Sequence, residues 1–218
     1  MAVSALVGLS LLVIGESHIT YNLREPLMQA LLAQGAKHVH AVGACGASPD
    51  RWLTKNPVDC GADQVDNKPA VVLKRDAFTT PITDLINADK PDLVVVIIGD
   101  TMGSYDKPTF AKTWAWQGTT GLTKAIASTN TACVWVGPGW GTESGSFAKN
   151  FNRVKELNAF LAANVEPCSY IDSTTFSKPG AWPTVDGEHY TQAGYAAWSK
   201  GIVQSLAVSP TVLKLKKK

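Results

Sequence analysis

The segment Leu9-Ser10-Leu11-Leu12-Val13-Ile14-Gly15-Glu16-Ser17-His18 decides how this chain is read. Residues 9–14 are a short, nearly unbroken aliphatic run, the pattern of a strand buried on both faces. The run ends at a glycine and delivers Ser17 just past the strand's carboxyl end, where open α/β sheets bind their ligands. A signal peptide is the competing reading of so apolar a start. However, no basic residue precedes the run, and it leads directly into Gly15-Glu16-Ser17, so a core strand is expected. Export to the periplasm or extracellular space is expected, with any signal peptide already removed.

At the far end stands Asp186-Gly187-Glu188-His189, followed by a helical pattern. A serine hydroxyl is a poor nucleophile until a base takes its proton. Histidine suits that task because its unperturbed pKa is about 6.5. An aspartate fixes the imidazole tautomer and stabilises the imidazolium that forms. Asp186 and His189, three apart, fit one turn. Each residue alone also has a plain reading: Ser17 as a helix cap, Asp186 as a turn former, His189 as a loop residue. Together they favour catalysis.

At these residues the chain resembles the SGNH hydrolases, the GDSL-like esterases. Their first block is a strand followed by Gly-Asp-Ser or a variant, here Gly15-Glu16-Ser17; their last is Asp-x-x-His, here Asp186 to His189. The resemblance implies an α/β, three-layer α/β/α sandwich with a five-stranded parallel, flavodoxin-like sheet. It also implies hydrolysis or transfer of an acyl ester. Ser17 would be the nucleophile, His189 the base and Asp186 its orienting acid. Gly46, in Gly43-Ala44-Cys45-Gly46, matches the glycine whose N–H helps bind the oxyanion, beside the N–H of Ser17; Gly43 is a weaker match.

The third block departs from the family pattern. Gly-x-Asn-Asp is usual, but Gly99-Asp100-Thr101-Met102 stands here, with Thr101 at the asparagine position. A hydroxyl can donate one hydrogen bond but is shorter than a carboxamide. Either Thr101 substitutes as an oxyanion donor, or Gln117 does, or the site is built differently.

The remaining apolar runs alternate with helical patterns. Strands are expected at residues 37–42, 93–98, 132–136 and 169–171, and helices at 25–34, 80–88, 117–128, 147–163 and 191–206. Such alternation argues for a parallel sheet covered on both faces. Residues 47–68, rich in polar residues and proline, are expected to form turns and a short helix overhanging the site. One domain spans residues 1–210, followed by a basic tail at 211–218.

At 218 residues, 45% of them hydrophobic, the chain suits a single globular domain. The net charge is only +2, with Lys214, Lys216, Lys217 and Lys218 in the tail. Neither a nucleic-acid surface nor a membrane span of about 20 apolar residues is expected. No cofactor or metal is expected, since no cysteine–histidine spacing fits zinc. Four cysteines allow disulfides in an exported protein, although Cys133 also reads as a buried free thiol. His38 and His40 share a strand face and read as structural. Among seven tryptophans, Trp135 and Trp198 read as core, while Trp52, Trp140 and Trp182 lie in loops where rings can face sugars.

The leading expectation is a serine esterase that removes O-acetyl or other small acyl groups from a carbohydrate or cell-envelope glycan. A polysaccharide O-acetyltransferase, with a sugar hydroxyl replacing water, is the nearest alternative. A catalytically weak glycan-binding domain is a third. A nucleotide binder is disfavoured because no phosphate fingerprint follows a strand. The oligomeric state is not readable from the sequence.

Overall fold

The opening aliphatic run becomes the central strand. The computed structural model describes residues 4–216. In chain order the elements are β1 (Ser10–Gly15), α1 (Ser17–Thr20), α2 (Arg24–Ala33), β2 (His38–Ala44), β3 (Pro57–Val58), β4 (Gly61–Val65), β5 (Val71–Leu73), β6 (Ala77–Phe78) and α3 (Ile82–Asp89). They continue with β7 (Leu93–Ile97), α4 (Asp100–Gly103), α5 (Lys112–Ala127), β8 (Ala132–Val136), α6 (Phe151–Asn164), β9 (Ser169–Ile171), α7 (Gln192–Val208) and α8 (Pro210–Leu215).

The main sheet has the order β5-β4-β2-β1-β7-β8-β9. Strands β2, β1, β7, β8 and β9 are parallel, as expected. The sheet is nevertheless seven-stranded rather than five-stranded, because β4 and β5 extend it antiparallel beyond β2. They lie within and just after the stretch expected to hold only turns and a helix. Gly61-Ala62-Asp63-Gln64-Val65 has no aliphatic run to announce a strand; its pairing with β2 is a tertiary choice.

Alternate residues of the central strands face opposite layers. Leu11 and Val13 of β1, with Val95 of β7 and Val134 of β8, pack against Leu27 and Leu31 of α2 and Trp198 and Ile202 of α7. Leu12 and Ile14, with Val94, Val96 and Trp135, pack against Leu85 of α3, Leu122 of α5 and Leu157 of α6. Burial on both faces explains why β1 and β7 read as continuous aliphatic runs.

Three other expectations change. The basic tail expected at 211–218 is largely α8, capped by the Ser209 hydroxyl, with Val212 buried in the core; Lys217 and Lys218 lie outside the described residues. Helix α5 starts earlier and α6 later than the apolar spacing predicts, the latter because Asn150 caps it by accepting the Arg153 N–H at 3.0 Å. Cys133 is not a free thiol: it is bonded to Cys168, and Cys45 to Cys60.

From β1 the chain passes to β2 on one side and later to β7 on the other. The carboxyl ends of β1 and β7 therefore form the topological switch point, where a crevice opens. Ser17 follows β1, Gly46 follows β2, and Gly99-Asp100-Thr101 follows β7.

Candidate active site

Ser17 begins α1 at the mouth of the crevice. The loop before α7 brings His189 to it, with His189 Nε2 2.7 Å from Ser17 Oγ. On the other side of the ring, His189 Nδ1 lies 2.7 Å from Asp186 Oδ2. The remaining Asp186 oxygen accepts the backbone N–H groups of Glu188 at 3.0 Å and His189 at 2.8 Å. Asp186 is thereby locked by its own turn. Burial would raise its pKa, but these bonds and the histidine hold the carboxyl below the usual range, so it stays ionised. The arrangement can take a proton from Ser17 and stabilise the resulting imidazolium.

A cavity of about 500 Å³ opens over this group. Gly46 and Thr101 both line it. The Thr101 hydroxyl is buried and has no hydrogen-bond partner among the described residues, whereas its backbone N–H is tied to Glu16 at 2.8 Å. Gln117, the alternative donor, is exposed on α5 and does not line the cavity; Asn22 does.

The three tryptophans expected to touch substrate do not line this cavity. Trp52 is fully buried in the core beneath α5. Trp140 is buried, its indole N–H donating to the carbonyls of Thr174 and Ser177. Trp182 packs edge-on against Tyr190, 5.5 Å between centroids. Each pins a loop to the core, the usual work of a loop tryptophan. The rings beside His189 are instead Tyr21 at 5.3 Å and Phe147 at 6.1 Å, both edge-to-face and exposed.

No family model matches the chain. Protein BcsX of Komagataeibacter xylinus is 40% identical to it over 216 residues, which cover 97% of this chain and 80% of that protein. The chain belongs to the BcsX family. Its fold is that of the SGNH hydrolases. A carbohydrate esterase family 3 structure from Talaromyces cellulolyticus superposes with a TM-score of 0.62 at 12% identity, covering 96% of this chain and 99% of that one. A catalytic mutant of an acetylxylan esterase from Geobacillus stearothermophilus gives 0.56 at 15% identity, covering 92% and 94%.

Beneath the surface group, this BcsX-family chain carries a buried ionic network that the sequence does not announce. Asp100 accepts from Lys149 Nζ at 2.7 Å, from the Tyr105 hydroxyl, and lies 2.8 Å from His18 Nε2. Burial alone would raise the Asp100 pKa, but the Lys149 ammonium and His18 hold the carboxyl well below the usual range. Lys149 likewise stays charged: burial opposes it, and Asp100 overcomes that. Burial pushes His18 down to about 4, against the pull of Asp100, leaving a neutral imidazole whose other nitrogen contacts the Tyr195 hydroxyl at 2.8 Å. Glu16, Asp100 and His18 place ligand atoms within 4.8 Å of one another, but Lys149 supplies a cation there already.

Glu16, the residue before Ser17, ties the chain after β1 to the chain after β7. Its carboxylate accepts the N–H groups of Gly99 at 3.0 Å, Asp100 at 2.9 Å and Thr101 at 2.8 Å. Burial and the charge of Asp100 nevertheless push its pKa up to about 7. Glu188 also approaches the imidazole, its Oε1 3.7 Å from His189 Nε2. Burial, then the negative charge of Asp100, push this carboxyl up to about 9, so it is protonated at neutral pH. The identities of Glu16 and Glu188 stand in the two motif blocks; their environments come from Asp100 and Lys149, far away in sequence.

His38 and His40 lie away from the cavity on the outer part of the sheet. His38 Nδ1 is 2.9 Å from Asp66, and His40 sits between Asp89 and Asp63, which raise its pKa against the effect of burial. These carboxylate partners arrive from β4, the turn after it and α3, so sequence spacing does not reveal them.

Proposed function

We propose that this protein is a serine esterase that removes O-acetyl or other small acyl groups from a carbohydrate, by way of an acyl-serine intermediate. The observation that carries the reading is the continuous relay Ser17–His189–Asp186, with both links at 2.7 Å, opening into a cavity of about 500 Å³.

In the first step Ser17 Oγ attacks the ester carbonyl while its proton passes to His189 Nε2. The N–H groups of Ser17 and Gly46 and the free Thr101 hydroxyl hold the negative oxygen that develops. His189 then gives its proton to the departing sugar hydroxyl. Water attacks the acyl-serine by the same route in reverse roles, releasing the acid. Donors fixed in advance need little reorganisation, and tethering of the Thr101 backbone by Glu16 supports that role for its hydroxyl.

A carbohydrate ester is favoured because carbohydrate esterase and acetylxylan esterase structures share the fold over nearly the whole chain. Tyr21 and Phe147 take the place of the expected tryptophans as rings that a sugar or acyl group would meet. Export to an oxidising compartment is supported by the two disulfides. Among the described residues no helix is long and apolar enough to cross a membrane.

The test is acetate release from an acetylated glycan, measured with and without an added unacetylated glycan. Free acetate that is insensitive to the acceptor supports the esterase. Acetyl groups appearing on the acceptor would instead make the same acyl-serine a transferase intermediate.

A further inference from the structure

A second cavity, of about 580 Å³, lies beside the first and shares Asp100, Phe147 and Glu188 with it. Its own walls add Ser104, Asp106 and Ser146, so it presents hydroxyl and carboxylate oxygens next to an aromatic ring. That combination suits a polyol: carboxylates and hydroxyls accept and donate to sugar hydroxyls, while the ring covers the apolar face of a pyranose.

The partition between the two cavities is held rigidly. Phe147 is 58% exposed, yet the loop that carries it is bonded to the catalytic turn. The Phe147 N–H donates to the Asp186 carbonyl at 2.7 Å, and the Thr142 N–H to the Gly187 carbonyl at 2.8 Å. The two backbones approach so closely that a Cβ on Gly145 would stand 2.2 Å from the Asp186 carbonyl oxygen, and one on Gly187 2.6 Å from that of Ser144. Both glycines also have φ above +100°. A large exposed ring is thus carried on a tethered loop beside His189, 6.1 Å between ring centroids, where it faces both cavities.

We propose that this second cavity is a sugar subsite. It binds a neighbouring residue of the glycan whose ester lies at Ser17, with Phe147 as the platform between them and Asp106 and Ser146 as hydroxyl partners. The protein therefore prefers esters on oligosaccharide chains to esters on single sugars. The inference rests on the esterase reading above.

The experiment compares p-nitrophenyl acetate with chemically acetylated xylose and xylotetraose, and acetylated glucose and cellotetraose, on the wild type, Asp106→Asn and Ser146→Trp. Asp106 and Ser146 are exposed, and neither lines the cavity at Ser17, so both variants are expected to fold. The expected result is a kcat/KM at least about tenfold higher on a tetrasaccharide than on its monosaccharide, one charged hydrogen bond's worth. Each variant should lower the ratio of tetrasaccharide to p-nitrophenyl acetate activity by about tenfold. Hydrolysis of p-nitrophenyl acetate without any chain-length preference, or a ratio that neither variant moves, overturns the subsite alone. A wild type that leaves p-nitrophenyl acetate intact overturns the esterase reading, and the subsite with it.

Discussion

Lys149 Nζ lies 2.7 Å from Asp100 Oδ2, and both side chains are fully removed from solvent. Asp100 also receives the Tyr105 hydroxyl and contacts His18, the residue after Ser17. Removing one member of a buried pair leaves an uncompensated charge, which typically costs about 3–5 kcal/mol. Lys149→Met should therefore lower the melting temperature sharply. The double variant Lys149→Met/Asp100→Asn should recover much of the loss. A Lys149→Met protein as stable as wild type contradicts the account of Asp100 as an ionised group needing this cation.

Thr101 gives a sharper test of the oxyanion site. Its hydroxyl has no partner among the described residues, so Thr101→Val removes none of the hydrogen bonds seen there. Stability should not fall. Turnover should fall by roughly 100-fold if the hydroxyl donates to the developing oxyanion. Loss of stability with turnover preserved would contradict this role, and Asn22 would be the next donor to test.

How much of this was legible in the sequence depends on where each interaction partner comes from. β1 and β7 declare themselves because burial on both faces leaves unbroken aliphatic runs at residues 11–14 and 93–97. Asp186 and His189 declare themselves because their bond is local. β4 and β5 do not, since they exist only by pairing with a strand already placed; Val71, Val72 and Leu73 of β5 are all exposed at the sheet edge. No motif marks Lys149, whose partner Asp100 is 49 residues away in sequence and is brought to it only by the fold. Trp52, Trp140 and Trp182 mislead because a loop position does not say which way the ring turns.

Glu188 makes stability depend on pH. Its pKa rises from 4.5 to about 9 on folding, so the folded state holds a proton that the unfolded chain releases. The stabilisation this provides is complete below about pH 4.5 and is lost as pH rises towards 9. Glu16 adds to the decline between 4.5 and about 7. Glu188→Gln, which cannot ionise, should flatten the fall in melting temperature between pH 5 and pH 9. An identical slope in variant and wild type contradicts the protonated state assigned to Glu188.

The Cys133–Cys168 bridge joins the start of β8 to the residue before β9 across 35 positions. Closing a loop of that length restricts the unfolded chain by roughly 4 kcal/mol on a chain-entropy basis. Cys133→Ser with Cys168→Ser should lower stability in denaturant titrations by up to that amount. An unchanged midpoint would show that the bridge does not form in solution.

Ser17 as the nucleophile is tested by intact-mass analysis after treatment with a fluorophosphonate, paired with turnover on p-nitrophenyl acetate. The expected result is one phosphonyl adduct, located on Ser17 and absent from Ser17→Ala, whose turnover falls by a factor on the order of 10⁴ or more. An adduct on another residue, or a Ser17→Ala protein that keeps turnover within about threefold of wild type, would contradict it.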